Sequence, residues 1–117
     1  MNKINDWFSI SDNSSNIIIQ YGATTSDKDM GEYLLYYKNL YPSEKKLTVV
    51  FDCRNIIYIS IPNLYKKLVL MKLMQDTHKK YLEKFYVVLT SKYMRTLIDF
   101  AFSIVKPVVP YEIVDSF

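Results

Sequence analysis

Two segments, Leu47-Thr48-Val49-Val50-Phe51-Asp52-Cys53 and Lys84-Phe85-Tyr86-Val87-Val88-Leu89, carry apolar side chains almost without interruption. A strand with one wet face alternates apolar and polar residues, so runs like these read as strands buried on both faces, as in the middle of a parallel sheet. Parallel neighbours cannot be joined by a tight turn. Each needs a crossover of a dozen or more residues, usually a helix. Buried strands separated by helix-length stretches restrict this chain to an α/β architecture.

The remaining segments fit that frame. Trp7-Phe8-Ser9-Ile10 and Asn16-Ile17-Ile18-Ile19-Gln20-Tyr21 read as two strands joined across the polar run Ser11-Asp12-Asn13-Ser14-Ser15, a β-hairpin that ends at Gly22. Ser26 is placed to cap a helix, with Asp27 and Asp29 in the first turn where the helix dipole favours negative charge. Met30, Tyr33, Leu34, Tyr37, Leu40 and Tyr41 share one face of that helix, and Pro42 stops it. The Leu47–Cys53 run is bounded by Ser43-Glu44-Lys45-Lys46, and an extended stretch from Asn55 to Ile61 leads to Pro62. Proline is comfortable in a first turn, so a helix is expected over 62–81. Its apolar residues do not form one stripe: Leu64, Leu68 and Met71 mark one face, whereas Val69, Leu70 and Leu73 point elsewhere. Thr90-Ser91 caps a further helix with Met94, Leu97, Ile98, Ala101, Ile104 and Val105 inward and Arg95, Asp99 and Ser103 outward. Pro107 and Pro110 end it, and Tyr111-Glu112-Ile113-Val114 closes the chain as a strand. The order ββαβαβαβ predicts one three-layer α/β domain over residues 1–117. It has a mostly parallel sheet of four to five strands, an N-terminal β-hairpin and three main helices.

Composition narrows the function classes. A single cysteine, Cys53, excludes an intrachain disulfide. No apolar run approaches the roughly 18–20 residues that span a bilayer, and the N-terminus lacks the basic-then-apolar order of a signal peptide. A soluble intracellular protein, cytoplasmic by default, is the expectation. Net charge is +3, unevenly spread: residues 1–44 carry three Lys against six acidic residues, and residues 45–106 carry twelve Lys/Arg against four. Lysine supplies most of this charge. Base recognition leans on arginine, so nucleic acid is not an expected partner.

No catalytic, cofactor or metal site assembles from the residues. His78 is the one histidine, and zinc sites usually need several His and Cys ligands. A Cys53–His78 nucleophile pair has nothing beside it to orient the imidazole; a structural cysteine and a solvated helix histidine are the plainer reading. Asp52, at the carboxyl end of a central strand, is expected to accept hydrogen bonds from its own loop. No glycine-rich loop is present to cradle phosphate. Lys66, Lys67, Lys72, Lys79 and Lys80, with Lys84, Lys92 and Arg95 beyond them, are a candidate basic surface, although they do not share one helical face. Tyr36, Tyr65, Phe100 and Phe102 fall at the edges of their apolar stripes, where aromatic residues anchor partners.

A hairpin ending in Gly, a helix, then Val49-Val50-Phe51-Asp52-Cys53-Arg54-Asn55-Ile56 followed by another helix resembles the STAS domain, which includes bacterial anti-sigma-factor antagonists. The same superfold houses CRAL-TRIO lipid-transfer domains, whose C-terminal half residues 82–115 resemble. The STAS resemblance implies partner binding at the turn before the second helix. In antagonists that turn carries a phosphorylated serine; here it reads Ser60-Ile61-Pro62-Asn63, with Ile61 or Pro62 at the switch position and Ser60 an imperfect substitute. For lipid transfer, the chain is short of the helical lid that encloses a lipid.

The expected function is therefore a non-enzymatic protein–protein interaction module, regulatory or part of a larger assembly, binding a protein partner or itself. Its contact surface is expected at Arg54, Asn55, Ser60 and Asn63 with Leu70 and Leu73 of the second helix. The alternatives are a CRAL-TRIO-like domain binding lipid or phosphoinositide, with anionic lipid as partner, and a structural component of a virus particle or other complex.

Overall fold

The computed structural model describes residues 2–13, 16–41 and 45–117. Its elements are β1 (Asn2–Lys3), β2 (Phe8–Asn13), β3 (Asn16–Tyr21), α1 (Asp27–Lys38), β4 (Leu47–Asp52), α2 (Ile61–Leu73), α3 (Gln75–Tyr81), β5 (Leu82–Val88), α4 (Lys92–Ile104) and β6 (Tyr111–Val114). Three helices start at a serine whose Oγ accepts a backbone N–H from three residues on. Ser26 takes Asp29 N at 3.0 Å, Ser60 takes Asn63 N at 3.3 Å and Ser91 takes Met94 N at 3.1 Å. Each such cap satisfies an orphan donor of the first turn and typically contributes ~1 kcal/mol.

All six strands form one sheet in sequence order, β1-β2-β3-β4-β5-β6. The β1–β2 and β2–β3 pairs are antiparallel, and the other three are parallel. Register aligns Ile17, Val49, Phe85 and Tyr111 in one row and Ile19, Phe51, Val87 and Ile113 in another. Side chains alternate along a strand, so both rows lie on the same face. Parallel strands added one after another through right-handed crossovers place every connecting helix on one side. Aromatic packing agrees: Tyr33 of α1 meets Phe8 and Tyr21, Tyr37 meets Phe51 and His78, and Phe102 of α4 meets Phe85 and Tyr111.

The α/β class, the mostly parallel sheet and the N-terminal hairpin are as expected, but the layering differs. The sheet has one helical cover, making two layers rather than three. The second face of β4 and β5 is buried without a helix: Val50 and Val88 are enclosed yet lie outside the main apolar cluster. These small residues sit in mid-sheet, Val50 in register between Ile18 and Tyr86, Val88 between Asp52 and Val114. Phe117 folds onto Tyr86 on that side, with ring centroids 4.9 Å apart. Burial by strand neighbours produced the continuous apolar pattern that suggested a second helical layer.

Two further differences are local. The described residues form six strands and four helices, because Asn2–Lys3 adds an edge strand and the expected 62–81 helix is interrupted at Met74. Ile104, expected inward, is exposed; Ala101 and Val105 are buried. At 100° per residue Ile104 lies at the rim of the stripe centred on Met94, Ala101 and Val105. The hairpin turn at Ser14 and Ser15 and the stop at Pro42, with Ser43 and Glu44, lie outside the described residues. Gly22 packs closely on the backbone: its N–H donates to Trp7 O, and a Cβ there would lie 3.3 Å from that oxygen. A side chain would ask the Trp7 backbone to give by a few tenths of an ångström.

Candidate functional site

The carboxyl ends of β4 and β5 open onto the loop 53–60 and the start of α2, where the expected contact residues cluster. Asp52 is buried at the strand end, and its Oδ1 accepts Arg54 N at 3.2 Å, the loop hydrogen bond expected from sequence. The Arg54 guanidinium adds a fork, Nε to Oδ1 at 3.0 Å and Nη2 to Oδ2 at 2.9 Å. Burial pushes the Asp52 carboxyl up, but the Arg54 side-chain and backbone hydrogen bonds outweigh it and hold its pKa below the usual value. Arg54 is thus committed to a fold contact, although part of it remains exposed. Ile57 N and Tyr58 N both donate to Ala23 O, and Tyr93 OH bridges Ile59 N and O. The loop is pinned by its backbone while Ile57 and Tyr58 project outward.

The expected contact set divides. Arg54, Asn55 and Leu73 are exposed and Ser60 is half-buried as the α2 cap. Asn63 and Leu70 are buried, so they leave the proposed surface: both face inward on α2, Leu70 within the main apolar cluster. What sequence reading missed is a row on the opposite side. Ile61 (80% exposed), Tyr65 (66%), Val69 (41%) and Leu73 (66%) follow one another at i, i+4 along α2. Side chains four apart on a helix lie one above the other, so the row is a continuous apolar ridge about 18 Å long. The spacing was visible in the sequence; what it lacked was knowledge of which face the sheet would claim. Leu73→Asp is expected to leave folding stability within ~0.5 kcal/mol, checked by urea denaturation, because its side chain is in water in the free protein.

The lysines also divide. Lys66, Lys72, Lys79 and Lys80 are exposed, as expected of a basic surface. Lys84 packs its Nζ 4.6 Å from the Tyr86 ring and 3.8 Å from Glu112, and Arg95 pairs with Asp99 at 3.4 Å. Lys67 does not belong to that surface. It is half-buried with its ammonium drawn inward over three rings, 4.5 Å from the Tyr21 centroid, 5.1 Å from Tyr33 and 5.6 Å from Trp7. The electron-rich ring faces replace part of the lost water. Burial still draws the Lys67 pKa below its usual value. Of the four aromatics expected near stripe edges, Tyr65 and Phe100 are exposed, and Tyr36 and Phe102 are half-buried.

Between α2, α4 and the sheet lies a cavity of about 120 Å³, walled largely by apolar side chains such as Phe51, Phe85, Leu97 and Phe102. Lys67, Cys53 and His78 reach its wall. Cys53 is buried, and desolvation pushes its thiol up to about 11, so it stays protonated at neutral pH. His78 Nε2 lies 2.8 Å from Tyr37 OH, which also bonds Tyr41 OH. Burial lowers the imidazole to about 4, so the ring that is bonded to Tyr37 is neutral at pH 7. Neither residue is poised as a nucleophile or base for the other. Among the described residues no three His, Cys, Asp or Glu side chains come together as metal ligands, and no helix is long and apolar enough to cross a membrane.

No known protein-family profile matches the chain, and no curated protein matches it. Among solved structures it is similar to an uncharacterized protein of the DUF3478 family with a SpoIIAA-like fold from Shewanella loihica PV-4. The two share 11% sequence identity with a TM-score of 0.62, over 93% of this chain and 85% of that one. At that identity the likeness speaks to architecture. This chain has the SpoIIAA-like, or STAS-like, fold: a six-stranded, mostly parallel sheet that begins in an antiparallel hairpin and is covered by helices.

Proposed function

We propose that this protein is a non-catalytic docking module whose α2 outer face receives an acidic, amphipathic segment of a partner protein. The observation that carries the reading is the exposed ridge Ile61, Tyr65, Val69 and Leu73, with Ile57 and Tyr58 exposed in the loop that precedes it. Large apolar side chains in one contiguous row gain ~25 cal/mol per Å² when covered, and a tyrosine in mid-row is a typical anchor. Charge selects the partner's chemistry. α2 holds no Asp or Glu, while Lys66 and Lys72 stand exposed beside the ridge. An isologous dimer through this face would set those lysines against their own copies, which argues for a different, acidic chain laid along the ridge as a helix in a groove.

The test places a photo-crosslinking residue at Tyr65 or Leu73, with Phe100 on α4 as the control position, in cells of the native host. The expected result is a common crosslinked protein at the two α2 positions and none at Phe100, its crosslinked peptide acidic and amphipathic. That peptide, made synthetically, is expected to bind the wild type at least tenfold more tightly than Leu73→Asp, and less tightly as salt rises. Equal crosslinking at all three positions overturns the reading. So does flotation with vesicles containing phosphatidylserine together with crosslinks only to lipid, which would favour an anionic membrane as partner.

A further inference from the structure

We propose that the cavity between α2, α4 and the sheet is a binding site for a small monocarboxylate, its carboxylate on Lys67 and its short apolar tail among Phe51, Phe85 and Phe102. This site lies on the inner side of α2 and stands apart from the docking reading. Three observations converge on it. The first is an uncompensated charge: among the described residues no carboxylate pairs with the Lys67 ammonium, which rests on the rings of Tyr21, Tyr33 and Trp7. Ring faces solvate a cation only partly, and a buried charge is otherwise paired. The second is the sign of the walls. The described lining contains no Asp or Glu, while Lys67 and Lys106 both reach it and His78 is neutral. The third is shape and polarity. The space of about 120 Å³, partly open to solvent, is near the ~150 Å³ of an apolar cavity that accepts benzene, and its polar groups are few.

These features select among ligands. One ammonium without a nest of backbone N–H groups suits a singly charged carboxylate better than a phosphate, which recruits several donors. An uncharged hydrocarbon would leave the ammonium as it is. A long acyl chain exceeds the cavity's volume, so the tail that it buries is of about six carbons, the size of the benzene comparison. On binding, the carboxylate would replace the missing counter-ion and the tail would displace whatever weakly held water enters the apolar end. The Tyr33 ring and the Cys53 thiol line the cavity beside Lys67 and would flank the headgroup.

Trp7 is the one tryptophan, and its ring centroid lies 5.6 Å from Lys67 Nζ, so its fluorescence reports events at the ammonium directly. The experiment titrates the full chain with hexanoate, hexan-1-ol and acetate, following Trp7 emission and two-dimensional amide NMR. Hexanoate is expected to bind at least tenfold more tightly than hexan-1-ol, and acetate to produce no saturable change. In Lys67→Met, which keeps the length of the side chain, hexan-1-ol binding is expected to persist while the preference for hexanoate falls below twofold. Equal affinity for hexanoate and hexan-1-ol in the wild type overturns the proposal, as does no binding of either, or a preference that survives Lys67→Met. The wild-type comparison decides the matter alone should the variant fail to fold. A ridge variant such as Leu73→Asp is expected to bind hexanoate as the wild type does, which keeps this outcome separate from that of the docking experiment.

Discussion

Trp7→Ala is expected to lower folding stability by ~3–5 kcal/mol, the range for deleting a large aromatic side chain from a core, read as a fall in the urea midpoint at an unchanged slope. The reason is where the indole sits. Trp7 is 1% exposed and joins the edge of the sheet to α1 and α2 at once. Its ring lies 4.8 Å from that of Tyr21 in a tilted arrangement and 5.3 Å from Tyr33 edge-on, with the Lys67 ammonium above it. Alanine would remove one wall of the box that shelters the ammonium as well as the apolar volume, so cavity and desolvation costs add. Trp7→Phe keeps a ring and loses the indole N–H, which has no acceptor among the described residues. Its cost is therefore expected to be well under half that of alanine. A Trp7→Ala loss below ~1 kcal/mol, the ordinary value for an arbitrary substitution, would mean the aromatic box is not part of the core.

Acid is expected to unfold the protein through His78 before the carboxylates respond. The folded imidazole titrates at about 4, against ~6.5 for a free histidine. Between those values the unfolded chain holds a proton that the folded chain does not, so stability falls as pH drops. Above ~6.5 the contribution is whole; below about 4 both states are protonated and the loss is complete. The difference caps the effect at ~3 kcal/mol, and because the ring is only half-buried a loss of ~2 kcal/mol is expected. The physical cause is burial: the ring sits beside Tyr37 and Tyr41, where a charged imidazolium loses its water. Asp52 acts later and with the same sign: its folded pKa is lowered, so its contribution disappears only as pH falls through that lower value. Urea melts from pH 7.5 to 4.5 on wild type and His78→Gln separate the two. The wild type should lose stability steadily over this range and the variant should stay nearly flat above pH 5. Parallel curves for the two proteins would remove His78 from the account.

These two residues also show how much of the molecule can be read from its sequence. The caps at Ser26 and Ser91, the apolar face of α1 and the final strand are local, set by a few neighbouring residues, and they stand where the sequence placed them. Asp52 bonding its own loop is local as well. His78 was legible only as a solvated helix histidine, because its partners Tyr37 and Tyr41 are some forty residues away and meet it through the packing of α1 against α3. Leu70 and Leu73 are three residues apart and equally apolar, yet one is core and the other is in water. Periodicity names the faces of a helix but does not say which one the sheet will take.

Chain-local chemistry, apolar period together with capping serines and breakers, was enough to dictate an α/β chain with buried parallel strands and an antiparallel hairpin at the edge. Tertiary structure alone decided that all helices share one side, that the second sheet face is closed by strand neighbours, and that Lys67 turns inward while Lys66 stays in water. The physical reason is range. Hydrogen bonds and rotamers act between residues a few positions apart, whereas the aromatic box of Trp7, Tyr21 and Tyr33 around Lys67 exists only once β2, β3, α1 and α2 have docked.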